Sequence, residues 1–371
     1  MNRSPRLGLV VNPIAGMGGR VGLHGTDGSA LAAARSRGAD AVAPHRARRA
    51  LARLHRLAPT LPVLTPLGAM GTDQLPGDRW RVEPLGHRPA EPSTAADTRL
   101  VVREIVDRGV SLLLFVGGDG TARDVLDVVG ADVPVLGVPA GVKMHSGVFA
   151  TGPETAGDTA NAFLTDPGRV GLVDAEVVDL VGTDAATRLF GLARVPNVRS
   201  FVPRAKASTG VAADDAELVA LGRELAAEMT GDRLYLLGPG TTIAHVNAAL
   251  GLPASPLGVD AVLGGRLLAA DATEAELLAL LRRHPAATLV LGVVGGQGFL
   301  LGRGNQQLSA AVLSAVGADN IDVLAARDKV AALDPPVLRV DLDDERASAA
   351  IVGYRKVRTG PGRSTVLRVV A

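Results

Sequence analysis

The chain has 371 residues, enough for two domains that each bury a sizeable core. Its 39 Lys and Arg against 38 Asp and Glu leave a formal charge of +1, which gives no electrostatic basis for binding nucleic acid or an anionic membrane. There is no cysteine, so disulfides, thiolate catalysis and Cys-ligated zinc are excluded together.

In chain order, Met1 to Arg6 has no apolar core of a signal peptide and leads into a strand-like run, Leu7–Val11. The pattern then predicts helices over Ala30–Gly38 and Pro44–Leu57, a strand over Val63–Leu67, and a helix over Thr94–Asp107. Pro44–Leu57 is dense in arginine, but Ala47, Ala50, Leu51, Leu54 and Leu57 form one stripe, as expected of a solvated helix packed on a sheet. Strands follow at Ser111–Val116 and Val133–Val138. Pro153 and Glu154 then mark a helix start before Ala156–Leu164. This alternation predicts an α/β N-terminal domain, residues 1–150, with a mainly parallel sheet. Residues 151–371 have a more β-rich texture, expected to form a second α/β or α+β domain. They contain a β-like run Val170–Val181 carrying Asp174, Glu176 and Asp179, a helix Ala216–Met229, a Gly264-Gly265 hairpin, and a Thr273/Glu276 capping box. Asp341 to Glu345 reads as a strand end followed by a helix start. No apolar run approaches the ~20 residues of a membrane span, so a cytoplasmic protein without membrane contact is expected.

The richest stretch is Leu112 to Thr121, where a wholly apolar strand runs into Gly117-Gly118-Asp119-Gly120-Thr121 and a helix. Glycine lets the backbone approach a ligand closely, so successive N–H groups and the helix N-terminus can face phosphate. A carboxylate in such a turn makes sense if Asp119 holds a cation or takes a proton from a hydroxyl that attacks phosphorus. The plain alternative is a tight turn with Asp119 as N-cap. Similar strand-then-glycine turns recur at Gly238-Pro239-Gly240-Thr241 and at Gly295-Gly296-Gln297-Gly298, without a carboxylate, and read as binding turns, the plain alternative being chance repeats in a glycine-rich chain. Lys143 and His145, following Gly141, are candidates to contact a phosphate or a ribose.

Gly117 to Thr121 resembles the GGDGT motif of the superfamily of NAD kinases and diacylglycerol kinases. Asn12 to Arg20 resembles the first phosphate-side loop of the ATP-NAD kinase family. Pro134 to Ser146 resembles the segment after GGDGT, and Gly295–Gly298 and Gly302–Gln307 resemble the C-terminal motifs of its branch that includes the acetoin catabolism protein X. The resemblance implies a two-domain NAD kinase-like architecture and transfer of the γ-phosphoryl of ATP to the adenosine-ribose 2′-hydroxyl of NAD. Asp119 would then be the catalytic base and the Mg²⁺ contact. Asn12, Gly16, Gly18, Gly19, Gly117, Gly118, Gly120 and Thr121 would hold phosphate and nucleotide. Thr26, Asp27, Lys143, His145, Gly238, Gly240, Thr241, Gln297, Arg303, Asn305 and Gln306 would bind substrate, in a homo-oligomer. Two positions depart from the family pattern: the usual Asn-Glu pair has only Ala175-Glu176 as a counterpart, and His24 stands where lysine is expected. The competing readings are a lipid or small-polyol kinase of the same superfamily and a non-catalytic nucleotide sensor.

Overall fold

Every residue of Leu112–Gly117 is buried, so this segment needs a sheet neighbour on each side and cover on both faces. The computed structural model, which describes residues 5–21, 29–77, 79–141, 144–181, 186–197, 211–255, 257–294 and 298–371, supplies both. The chain divides into two compact units: residues 1–17, 25–31 and 40–205, and residues 18–24, 32–39 and 206–371.

In chain order the first part contains β1 (Leu7–Val11), α1 (Ser29–Ser36), α2 (Val42–Leu57), β2 (Pro62–Thr65), β3 (Arg81–Pro84) and α3 (Ala95–Arg108). It continues with β4 (Leu112–Gly117), α4 (Asp119–Val129), β5 (Val135–Pro139), α5 (Pro153–Thr165), α6 (Pro167–Val170), β6 (Leu172–Val181) and β7 (Ala186–Pro196). The first unit's sheet has the order β3-β2-β1-β4-β5, with every pairing parallel. Its two faces carry separate apolar clusters, one with Leu51 and Leu54 of α2 and Ala156 and Ala160 of α5, the other with Val101 and Ile105 of α3 and Val125 of α4. The arginine-dense α2 packs on the sheet as its stripe predicts, with Ala47, Ala50, Leu51 and Leu54 fully buried. Two departures appear. Leu57 is exposed at the helix end, and Arg46 is buried because its guanidinium donates to the Pro139 carbonyl at 2.8 Å. Arg49 and Arg53 pair with Glu154 and Asp158 of α5 at 2.7 and 2.5 Å.

The first compact unit continues beyond the residue-150 boundary expected from sequence, to Ala205. The reason is packing. β6 and β7 form an antiparallel ribbon whose inner residues Ala175, Val177, Ala193 and Val195 join the core cluster of α3 and α4. β3 has no apolar sequence signature because it is an edge strand whose residues Arg81 to Pro84 are at least partly exposed.

The second part contains α7 (Val211–Glu228), β8 (Leu234–Leu237), α8 (Thr241–Ala249), β9 (Asp260–Leu263), β10 (Arg266–Ala269), α9 (Glu274–Arg283), β11 (Ala287–Gly292) and β12 (Phe299–Leu301). α10 (Ala310–Val316), β13 (Ile321–Leu324), α11 (Arg327–Ala331), β14 (Val337–Val340), α12 (Glu345–Ile351), β15 (Gly353–Gly360) and β16 (Arg363–Val370) complete it. Its mixed sheet has the order β10-β9-β8-β11-β13-β15-β16-β14-β12. The β9–β10 hairpin turns at Gly264 and Gly265, both with positive φ, and the Thr273/Glu276 capping box opens α9. The Asp341–Glu345 reading holds too: β14 ends at Val340 and Asp344 caps α12. Among the described residues no helix is long and apolar enough to cross a membrane.

Candidate active site

In the first sheet β1 and β4 are neighbours, while the chain leaves β1 towards β2 on one side and β4 towards β5 on the other. This reversal is a topological switch point, and open α/β sheets bind ligands outside the C-terminal ends of the strands at such a point. Asn12 and the Gly117–Thr121 turn lie there, at the ends of β1 and β4. Asn12, directly after β1, donates its backbone N–H to the Val116 carbonyl at 2.9 Å and its side-chain amide to Thr121 Oγ1 at 3.0 Å. Gly16 in the same loop needs φ +81°, and a Cβ there would stand 2.1 Å from the Ala140 carbonyl oxygen.

The glycines of the turn have different reasons to be glycine. Gly117 ends β4, and a side chain on it would collide with Thr121, whose Oγ1 is 2.4 Å from the Cβ position. Gly118 is the N-cap of α4 with extended φ −115°, so it needs no left-handed backbone; it lies 3.1 Å, measured from its Cβ position, from the Gly141 Cα. Two chain segments cross there at backbone distance. Gly120 alone of the three has an open side, bordered only by Asp179 Oδ2 at 4.0 Å. The room for a ligand at this turn is therefore over Gly120.

Asp119 is the first residue of α4 and is 5 % exposed. It is not the N-cap. Its carboxylate reaches across to the segment after β5, where Oδ2 accepts from the His145 backbone N–H at 2.6 Å and Oδ1 from the Ser146 N–H at 3.1 Å. Burial pushes this carboxyl up to about 6, against the Ser146 and His145 bonds that favour its charged form, and Asp179 adds to the rise. A carboxylate poised near neutrality at a helix N-terminus suits general-base work. Ser146 is itself pinned: its hydroxyl donates to the Val178 carbonyl at 2.9 Å and accepts from the Val178 N–H at 3.0 Å. This bond docks β6 beside the turn and brings Asp179 to it. Asp179 pairs with Arg123 at 3.2 Å, and the Arg123 guanidinium lies 5.3 Å from the Phe190 ring centre. Asp179 and Arg123 were no sequence candidates. The acidic run in β6 was visible, but its docking beside Gly120 was not.

The structure thus brings together Asn12, Gly117, Gly118, Asp119, Gly120, Thr121 and His145, the last through its backbone N–H while its side chain is exposed. Thr26, Asp27, Lys143 and Gln297, together with His24, lie outside the described residues. Gly18 and Gly19 belong to the second unit, where a Cβ on Gly19 would press on Gln306 Cβ at 2.9 Å. Gly240 takes φ +111° with nothing within 4 Å of its Cβ position and caps α8, whose first residue is the exposed Thr241. Gly238 is tighter, 3.2 Å from the Val290 carbonyl oxygen.

In the 302–307 loop, Asn305 and Gln306 bond to backbone groups of their own segment, while Arg303 pairs outside it. Arg303 is buried, pairs with Asp341 at 3.0 Å and stacks on Phe299 at 4.6 Å. Asn305 accepts from the Gly302 N–H at 2.9 Å and donates to the Leu300 carbonyl at 2.8 Å. Gln306 donates to the Gly302 carbonyl at 3.3 Å.

Comparison with known families agrees with this geometry. The ATP-NAD kinase N-terminal domain profile matches residues 7–168, which include the Asn12 loop and the Asp119 turn, and the ATP-NAD kinase C-terminal domain profile matches residues 230–369. No curated protein and no solved structure gave a match. With both domain profiles accounting for most of its length, the chain belongs to the ATP-NAD kinase family and is an NAD kinase-like, ATP-dependent phosphotransferase.

Proposed function

We propose that the protein transfers the γ-phosphoryl group of ATP to the 2′-hydroxyl of the adenosine ribose of NAD, giving NADP and ADP. The observation that carries this is Asp119: a buried carboxylate, held by two backbone amides at the N-terminus of α4, and raised to about 6. The acceptor oxygen forms its bond to the γ-phosphorus as the bond from that phosphorus to the β,γ-bridging oxygen breaks, and the hydroxyl proton passes to Asp119. Protein work in such a step is mostly positioning and charge stabilisation. The helix N-terminus and the open side of Gly120 offer the terminal phosphate a place, and the Asn12–Thr121 bond keeps the two loops in register.

Family members use a divalent metal with ATP, and we assign Mg²⁺ here. No group of three or more carboxylates or histidines converges among the described residues, so the donor set fits an ion carried by the nucleotide with Asp119 as its protein carboxylate. When bound, the ion neutralises phosphate charge. The same reading carries a homo-oligomer acting in the cytoplasm, which light scattering and cell fractionation test.

The decisive experiment uses 2′-deoxy-NAD. Losing one hydroxyl contact costs only about 0.5–1.5 kcal/mol of binding, so the analogue should compete with NAD while never being phosphorylated. Phosphorylation of the analogue at rates like NAD means that another hydroxyl is the acceptor. Turnover of a lipid or polyol but not of NAD places the chain among other kinases of the superfamily.

A further inference from the structure

We propose that Arg123 is a further catalytic residue, the cation that meets the transferring phosphoryl group over Gly120, and that Asp179 is the positioning residue that holds it there. This rests on the phosphotransferase reading above.

The argument begins with space. Gly117 and Gly118 are closed off by Thr121 and Gly141, whereas the side of Gly120 is open and bordered by Asp179. A phosphate at that side of the α4 N-terminus meets the Arg123–Asp179 pair. Arg123 lies one helical turn after Asp119, so both side chains project from one face of α4, the face covered by the β6–β7 ribbon. Its guanidinium is fixed in orientation. One N–H goes to Asp179 at 3.2 Å, and its Cζ lies over the Phe190 ring at 5.3 Å, a ring that also has Arg188 at 5.4 Å. A guanidinium has five donors, so pairing with one carboxylate leaves others to turn to phosphate oxygens.

A phosphoryl group in flight spreads negative charge over its equatorial oxygens, and a preorganised cation lowers that barrier most when it need not be ordered during the reaction. Arg123 neither gives nor takes a proton; that task stays with Asp119. Asp179 keeps the guanidinium in place before substrate arrives, at the expense of repelling the incoming phosphate.

The test compares Arg123→Met, Arg123→Lys and Asp179→Asn with wild type, measuring kcat and KM for NAD and, by calorimetry, binding of inorganic tripolyphosphate. Arg123→Met should lower kcat at least ~100-fold, with KM for NAD within about threefold, and should weaken tripolyphosphate about tenfold or more. Arg123→Lys should restore less than about a tenth of wild-type kcat, because an ammonium lacks the planar fork. Asp179→Asn should lower kcat yet leave tripolyphosphate binding equal or tighter, a split that a merely structural role would not produce. Either Arg123 variant with kcat within threefold of wild type overturns the proposal, and should Arg123→Met not fold, Arg123→Lys decides. If wild type phosphorylates no acceptor, the kinase reading fails on its own. Tripolyphosphate then decides the Arg123 assignment: binding weakened by Arg123→Met supports it, and equal or absent binding in both proteins overturns it.

Discussion

Replacing Asp119 by asparagine should make the protein nearly inactive and, at neutral pH, no less stable. The folded carboxyl titrates near 6 against 3.8 for the ordinary aspartate. At 1.36 kcal/mol per pH unit, holding it ionised in the folded protein costs about 3 kcal/mol at pH 7. The sign is that of a raised carboxyl: the folded state is favoured below pH 4, and that advantage is lost as pH rises through 6. Asparagine removes the charge but has one acceptor oxygen for two donors, so the His145 or the Ser146 N–H loses its partner. That loss costs about 1–3 kcal/mol. The balance is a variant about 0–2 kcal/mol more stable than wild type at pH 7 and about 1–3 kcal/mol less stable at pH 4. Melting curves at the two pH values should therefore cross. Turnover should fall about 10²–10⁴-fold with the loss of the base, and wild-type kcat/KM, which reports the free enzyme, should show an acid limb centred near pH 6 that the variant lacks. Activity of Asp119→Asn within threefold of wild type, or a wild-type profile flat between pH 7 and 5, refutes the general-base assignment.

Gly118→Val places a branched side chain where the Cβ alone stands 3.1 Å from the Gly141 Cα. The turn must shift, and ATP affinity measured by calorimetry should drop about tenfold or more in a folded protein; unchanged affinity would show that this turn holds no phosphate. Arg303→Met leaves Asp341 buried without its cation and should cost about 3–5 kcal/mol in urea unfolding, with much of it regained in the double variant Arg303→Met/Asp341→Leu. Asp97, bonded by the Thr94 hydroxyl and by the Ala90 and Thr94 backbone N–H groups, sits near 2 although burial opposes this. Asp97→Asn should therefore cost about 2 kcal/mol at pH 7, a deficit that shrinks below pH 4 and is gone near pH 2, since wild type loses this stabilisation as pH falls.

Much of the molecule was legible without coordinates because it rests on local rules. An apolar run of six residues bounded by glycine has few solutions other than a buried strand, and β4 is one. The capping box at Thr273, the proline-led start of α5 and the Gly264-Gly265 hairpin are set by hydrogen bonds within a few residues, so their sequences suffice. The Asp119 turn, too, announced phosphate chemistry by composition alone.

What the tertiary structure decided depends on residues far apart in sequence. The extent of the first unit follows from where β6 and β7 dock, and their apolar alternation is equally compatible with either unit. Glycine in the turn suggested backbone freedom, yet Gly118 is glycine because Gly141, 23 positions later, crosses it. Sequence alone did not show that Arg303 pairs with Asp341, 38 positions later, or that Asn305 bonds within its own segment. The acidic run holding Asp179 was visible, but its pairing with Arg123 was not, because pairing across 56 positions is a property of the packed ribbon and helix. Local hydrogen-bonding and burial rules determine which elements form; the docking of those elements against one another decides which carboxylate shares a site with which cation.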